Sequence, residues 1–306
     1  MTDPVGTATA ARLLGVTEKP VIAVVGPGAV GGLLAWLLHR HGENVIVVGR
    51  KASVETINSL GIRVSSTMFG GGTEFVPARE TVPQRASVIL TVKTFGLDDS
   101  LNLIAAGTPR DVLSLMNGVG HAETLSERLD GIPVSAGSIA VEASRSPGGA
   151  IEHKSPFIRL AVPSHSKEFA SVRALAETVA EFTVGGTDAE VLWRKFRFLA
   201  PLALLTSYWQ TALGEALEKD PALTQAVLSE VVACEVADGV SDTVESLAAT
   251  LSGLPQSMRS SLQADLTAGR LSELDAIGGE LVRQAARHSI AIPGIEKVVS
   301  ELSESR

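Results

Sequence analysis

Several places in the sequence combine residue types and spacings that could do chemistry. Gly26-Pro27-Gly28-Ala29-Val30-Gly31 has the G-x-G-x-x-G spacing, and the apolar run 21–25 leads straight into it. In such a turn the first glycine makes the tight bend and the second lets backbone approach a pyrophosphate. The third lets the following helix pack against the strand. The helix opening there adds unpaired N–H groups and a partial positive charge that suit phosphates. Without a ligand, the same glycines would make only a strand-to-helix turn.

The next apolar run ends in Val48-Gly49-Arg50-Lys51. A site for NAD wants an acid about 20 residues beyond the glycines, bonding the ribose 2′-hydroxyl. Here there is no acid and there are two cations. A guanidinium can hold a 2′-phosphate with two bonds, so the residues point to NADP(H), with Arg50 as the main contact and Lys51 beside it. The alternative is a solvated helix start, where a cation pair is unfavourable.

Hydride transfer to a ketone also needs a proton donor for the developing alkoxide. Lys93 and Asn117 each follow a β-branched or apolar run. In an open parallel sheet those ends face the ligand crevice, so both could reach the nicotinamide side of a cofactor. The plainer readings are a surface lysine and a turn-forming asparagine before Gly118. Lys195 lies just ahead of the apolar stretch 198–205. A lysine against an apolar wall can have a lowered pKa and serve as acid or base, or it can snorkel to solvent from a helix surface.

The elements that must position these groups are legible as periodicity. Strands are expected at 21–25, 45–48, 87–92, 112–116 and 134–139, with a helix over 29–40 and a glycine hairpin or loop tip at 70–72. Continuous apolar runs alternating with helices argue a parallel, doubly wound sheet. From about residue 145 the pattern changes. Antiparallel strands are expected at 150–153 and 157–162, and an amphipathic helix at 167–182. After Gly185-Gly186, with Asp188 as N-cap, helices are expected at 189–217, 222–237, 244–251, 256–267, 272–288 and 295–302. Pro221, Pro255 and Pro293 sit near helix starts, where a missing N–H costs least. This divides the chain into an extension, 1–19, with a short helix near 9–14; a Rossmann-type domain, 20–187; and an all-helical domain, 188–306, for substrate and dimerisation.

Composition narrows the function classes. Lys+Arg 26 against Asp+Glu 34 gives a net charge of −8, which disfavours a nucleic-acid partner. Cys234 is the only cysteine, so an intrachain disulfide is excluded. No histidine or cysteine spacing suggests a metal site. The uncharged stretch 21–38 is broken by glycines and a proline, and the first twenty residues lack an apolar targeting core. These features predict a cytoplasmic protein with no membrane partner; the apolar helical half is compatible with a homodimer.

The residues Gly26–Gly31, Arg50, Lys93, Asn117-Gly118-Val119-Gly120, Trp193-Arg194-Lys195, the 260–265 segment Ser-Ser-Leu-Gln-Ala-Asp and the 273–279 segment Glu-Leu-Asp-Ala-Ile-Gly-Gly together resemble ketopantoate reductase (2-dehydropantoate 2-reductase). The resemblance runs from about residue 21 to the last helix. It implies a Rossmann domain with a helical domain like that of 6-phosphogluconate dehydrogenase, and NADPH-dependent reduction of a small 2-keto acid to a 2-hydroxy acid in pantothenate biosynthesis. It makes Lys195 the acid that protonates the carbonyl oxygen and Asn117 a contact to cofactor and substrate. It makes Ser261 a substrate-binding serine and Glu273 the carboxylate near the nicotinamide ribose and the lysine.

The sequence departs from that family at the substrate. Family asparagines four and eight residues after the lysine correspond to Leu199 and Ala203, and two further ones fall near Leu213 and Met258. Leu199 and Ala203 are therefore expected as substrate-pocket positions, and a more apolar keto acid as the substrate. Alternatives are another oxidoreductase of the β-hydroxyacid dehydrogenase type and a non-catalytic NADP(H)-binding regulator. The second has no use for a proton donor.

Overall fold

The computed structural model describes residues 19–304; the extension, with its expected helix near 9–14, lies almost wholly outside them. The main sheet has six parallel strands in the order Ala78–Arg79, Val45–Val48, Ile22–Val25, Ser87–Leu90, Asp111–Ser114, Val134–Ala136. Ile22–Val25 lies between the second and fourth positions, with Ile22 beside Val45 on one side and Ser87 on the other. The chain therefore winds outward one way and then the other, and the crevice opens at the carboxyl ends of these strands. Every residue of the four central strands is buried, because helices cover both faces. That explains why they read as unbroken apolar runs.

The strands stop earlier than the sequence suggested, at Leu90 and Ser114. Lys93 and Asn117 sit three residues beyond, on turns over the crevice. The run 134–139 is not one strand. Val134–Ala136 closes the main sheet, the chain crosses at Gly137, and Ser138–Ala140 joins a second sheet beside Arg159–Val162. A Cβ at Gly137 would lie 2.9 Å from the Leu115 side chain, so the crossing needs a glycine.

Three expectations in the middle of the chain are corrected. Glycines 70–72 do belong to a hairpin, as expected, but form its returning strand, Gly70–Glu74 against Ile62–Ser66, and not its tip. Ile151–His153 and Arg159–Val162 do not pair with each other: the first joins Ala143–Arg145 and Ile62–Ser66, the second Ser138–Ala140 and Glu181–Val184. The helix expected over 167–182 spans only Ala170–Thr178, and Glu181–Val184 is an edge strand. The Thr178 hydroxyl donates to the Ala174 carbonyl, and the chain turns extended at Val179.

The helical part begins with Asp188–Trp209, capped by Thr187 rather than Asp188. Thr187 accepts from the Glu190 N–H while Glu190 accepts from the Thr187 N–H, a reciprocal capping box. The Asp188 carboxylate instead accepts from the Ala136 N–H at 2.8 Å, tying this helix to the edge of the main sheet. The long helix expected to reach 217 stops at Gln210, whose φ of 54° is left-handed, and Leu213–Lys219 is separate. The segment 256–260 is a turn, and Ser260 caps Ser261–Thr267. The helix expected over 272–288 contains a π turn, Asp275–Gly279, before Glu280–His288, and Pro293–Glu304 follows it. The helical core packs around Trp193, Phe196, Leu204, Val231 and Leu281, and it reaches the main sheet through Val119 and Ala136. Among the described residues no helix is long and apolar enough to cross a membrane.

Candidate active site

The glycine turn has the shape its spacing predicted. Gly26 holds φ +95°, a left-handed conformation, and its N–H donates to the Val48 carbonyl at 3.0 Å. A Cβ on Gly31 would sit 2.2 Å from the Gly26 carbonyl oxygen and 2.2 Å from Thr91 Oγ1, so that glycine is required by helix–strand contact. A Cβ on Gly28 would meet nothing within 4 Å. Its freedom faces open space, where a ligand would come. No side chain caps the Ala29–Arg40 helix. An uncapped helix end over an open, Cβ-free approach fits a dinucleotide's phosphates.

Two neighbouring cavities run past this turn. The smaller, about 400 Å³, lies over the ends of Ile22–Val25 and Val45–Val48 and is lined by Gly26, Pro27, Arg50 and Phe95 among others. The larger, about 1040 Å³, runs on between the sheet and the helical part. Ala29, Val30, Lys93, Asn117, Lys195, Ser261 and Glu273 all line it, so the fold brings together groups from both halves of the chain.

Lys195 is partly buried there. Its Nζ donates to Asn117 Oδ1 at 2.8 Å and to the Ile139 carbonyl at 2.7 Å. Asn117 Nδ2 in turn donates to Glu273 Oε2 at 3.3 Å. Desolvation pulls the Lys195 pKa down to about 8, and the Glu273 charge opposes the fall. An ammonium poised there can deliver a proton near neutral pH and is held in place by two acceptors. The loop carrying Asn117 is docked on the π turn that follows Glu273. Gly118 has φ +99°, and a Cβ on it would lie 2.9 Å from the Ala276 carbonyl.

Other predicted residues fall less simply. Arg50 and Lys51 do stand at a helix N-terminus, that of Lys51–Leu60. Arg50 lines the smaller cavity with its guanidinium exposed and 3.3 Å from Asp99; Lys51 is exposed and outside that lining. Lys93 pairs with Asp265 at 3.0 Å, across the two halves of the chain. Ser261 lines the larger cavity, whereas Ser260 is buried, caps its helix and shares a 2.9 Å hydrogen bond with Thr206. The structure does not bring Leu199 or Ala203 to the cleft. Leu199 is half-buried outside the lining, and Ala203 is buried in the helical core. Leu213 is fully buried, and its N–H donates to the Met258 carbonyl.

Sequence reasoning missed the Ile139 carbonyl, Arg145 and Arg270. The first is a backbone group set by the crossing at Gly137. The others lie in a hairpin and a loop with no motif. Asp265 falls in the 260–265 segment, but its partner Lys93 is 172 residues away.

A phosphate-fitting turn and a tuned lysine sharing one cleft is the working arrangement of a pyridine-nucleotide-dependent oxidoreductase acting on CH–OH. Residues 22–164 match the ketopantoate reductase PanE/ApbA family and residues 189–305 match its C-terminal domain. The chain belongs to that family. It is similar to a 2-dehydropantoate 2-reductase of Caulobacter vibrioides, 28% identical over 92% of this chain and 98% of the relative. Its fold matches a PanE/ApbA family ketopantoate reductase from Ralstonia eutropha, with TM-score 0.80, 25% identity and coverage of 93% of this chain and 98% of that one. It also matches a D-mandelate dehydrogenase solved with NADH and anilino(oxo)acetate, with TM-score 0.79, 20% identity and coverage of 93% and 98%. The latter likeness shows the fold alone.

Proposed function

We propose that the protein reduces a small 2-keto acid to the 2-hydroxy acid using NADPH, with Lys195 as the proton donor. The observation that carries this is the placement of a lysine with pKa about 8 in the cleft that the glycine turn opens into. When bound, the reduced nicotinamide supplies the hydride to the carbonyl carbon. The Lys195 ammonium neutralises the charge developing on the carbonyl oxygen and gives it a proton. It is left as a neutral amine and regains a proton from solvent. Asn117 and the Ile139 carbonyl aim the lysine, and Glu273 keeps it charged. Ser261, which lines the cleft, is suited to the substrate carboxylate; Arg270 lines the same cleft with its guanidinium held by Asp265 at 2.9 Å.

Arg50 supports NADPH over NADH, since it stands over the cavity beyond the glycine turn with no acid from its own strand. For the substrate, the walls around Lys195 are Leu115, Met116, Ile139 and Val141. The positions where the family carries asparagines bring no amide to the cleft. Both features favour a keto acid with an apolar side chain over the hydroxylated ketopantoate.

Cofactor oxidation followed by absorbance tests this against ketopantoate, 2-ketoisovalerate, 2-ketoisocaproate and phenylpyruvate, each with NADPH and with NADH. Turnover of an apolar keto acid with NADPH, abolished in Lys195→Ala with cofactor affinity kept, is the expected result. A large preference for ketopantoate would overturn the substrate reading. Unimpaired turnover in Lys195→Ala would overturn the assignment of the acid.

A further inference from the structure

We propose that Arg145 is a phosphate clamp of the nucleotide site, holding the cofactor's pyrophosphate against the glycine turn. The proposal rests on the nucleotide reading above and adds a residue that neither the glycine motif nor Arg50 covers. Arg145 ends the strand Ala143–Arg145, far from the motif in sequence, and its Nη1 donates to the Pro27 carbonyl at 2.7 Å. Pro27 is the second residue of the glycine turn, so the guanidinium lies directly over the phosphate approach.

Its position along the cleft is specific. Gly28, Thr91, Val92, Lys93 and Arg145 line both cavities. They form the waist where the nucleotide-side cavity meets the lysine-side cavity. In an extended dinucleotide the group midway between the two nucleosides is the pyrophosphate. Two cations stand at this waist. Lys93 is paired with Asp265 at 3.0 Å, a carboxylate it shares with Arg270. Arg145 has no carboxylate partner among the described residues, so its charge is free for an anion. One of its five N–H donors is used on Pro27, and the planar fork retains donors for phosphate oxygens.

The arginine is also held from behind. Ala143–Arg145 pairs antiparallel with Ile151–His153. The hairpin between them is closed by a Ser146 N–H bond to the Ala150 carbonyl at 2.9 Å. Arg63 donates to the Gly148 carbonyl. A Cβ on Gly32 would lie 2.4 Å from Ile151 Cδ1, so the hairpin's partner strand presses on the same helix whose N-terminus faces the phosphates. Clamp and cradle are fixed to one another through that helix.

Because NADH and NADPH share the pyrophosphate and differ at the 2′-phosphate, the two can be told apart. Dissociation constants for both are measured by quenching of tryptophan fluorescence, without substrate, for the wild type, Arg145→Gln, Arg145→Lys and Arg50→Gln. Arg145→Gln is expected to weaken NADPH and NADH by the same factor, about tenfold for one charge-assisted contact, with Arg145→Lys in between. Arg50→Gln is expected to weaken NADPH alone. Unchanged affinities in Arg145→Gln, or a loss confined to NADPH, would overturn the clamp. Thermal melts confirm that Arg145→Gln is folded, and Arg145→Lys keeps the test decisive if it is not. A wild-type protein that bound neither dinucleotide would instead bring down the nucleotide reading on which the clamp stands.

Discussion

Replacing Glu273 with glutamine should shift the pH dependence of the reaction while leaving its contacts in place. Glutamine can still accept the bond that Asn117 Nδ2 donates to Glu273 at 3.3 Å, so the change removes charge and little else. Desolvation brings Lys195 down to about 8, and the Glu273 charge opposes that fall. One side-chain amide separates the two groups, a distance on the order of 7 Å; at an effective dielectric near 20 their attraction is about 2 kcal/mol. That corresponds to about 1.5 pH units. In the proposed reduction the lysine acts in its protonated form, so the wild-type rate is expected to be flat below pH about 8 and to fall tenfold per unit above it. Without the carboxylate the ammonium is less favoured, and the falling limb moves in the acid direction to about pH 6.5. The assay is kcat/KM for cofactor oxidation from about pH 5.5 to 10, because that ratio reports groups of the free enzyme. A limb that stays near 8 in Glu273→Gln, or moves alkaline, would refute the coupling.

Other perturbations separate the parts of the structure. Gly31→Ala should cost about 1–3 kcal/mol of stability by overpacking, because its Cβ would sit 2.2 Å from the Gly26 carbonyl; a denaturant midpoint checks it. Gly28→Ala meets no protein atom within 4 Å, so the same measurement should show little change while NADPH affinity drops. Asp99→Asn removes the carboxylate 3.3 Å from Arg50 and should tighten NADPH binding more than NADH binding. Glu235 is buried, and desolvation, with Asp242 beside it, raises its pKa to about 7. Its native form thus binds a proton that the unfolded chain releases at lower pH. Its contribution to stability is complete below pH about 4.5 and is lost as pH rises through about 7. Glu235→Gln should therefore flatten stability against pH and gain up to about 3 kcal/mol at pH 8, read from urea midpoints across that range.

What the sequence could disclose was set by the range of the interactions involved. The central strands, the glycine turn and the Ala29–Arg40 helix are local patterns, and burial on both faces makes them loud. Lys195 was visible because an apolar run follows it. Thr187 as the cap was masked by the neighbouring Asp188, an equally good capping type whose carboxylate is committed to the sheet. The break at Gln210 has no proline or glycine to announce it. Arg145 and the Ile139 carbonyl enter the site only through long-range sheet pairing and a sheet-to-sheet crossing. Leu199 and Ala203 follow Lys195 at helical spacing, yet the cleft meets this helix at Lys195 and the core takes the next turns. A heptad-scale argument could not foresee where that boundary falls.

The π turn at Asp275–Gly279 has a consequence for the lengths this family member can tolerate. A π turn accommodates one more residue than an α turn, and each residue of a helix adds about 100° of rotation. Here the extra residue sits between Glu273, which faces the cleft, and Leu281 and Ala285, which fill the core. Removing one residue of that stretch would restore a regular α turn with its two ends still in phase, so Glu273 and the core residues would keep their faces, but the wide turn whose Ala276 carbonyl meets Gly118 would close. The spacing from Glu273 to Leu281 thus holds a spare residue that the wide turn takes up. A single-residue deletion is the change this turn can absorb, whereas a side chain at Gly278 is not, since its Cβ would lie 2.5 Å from Val299, and the protein's evolutionary freedom there is in length before composition.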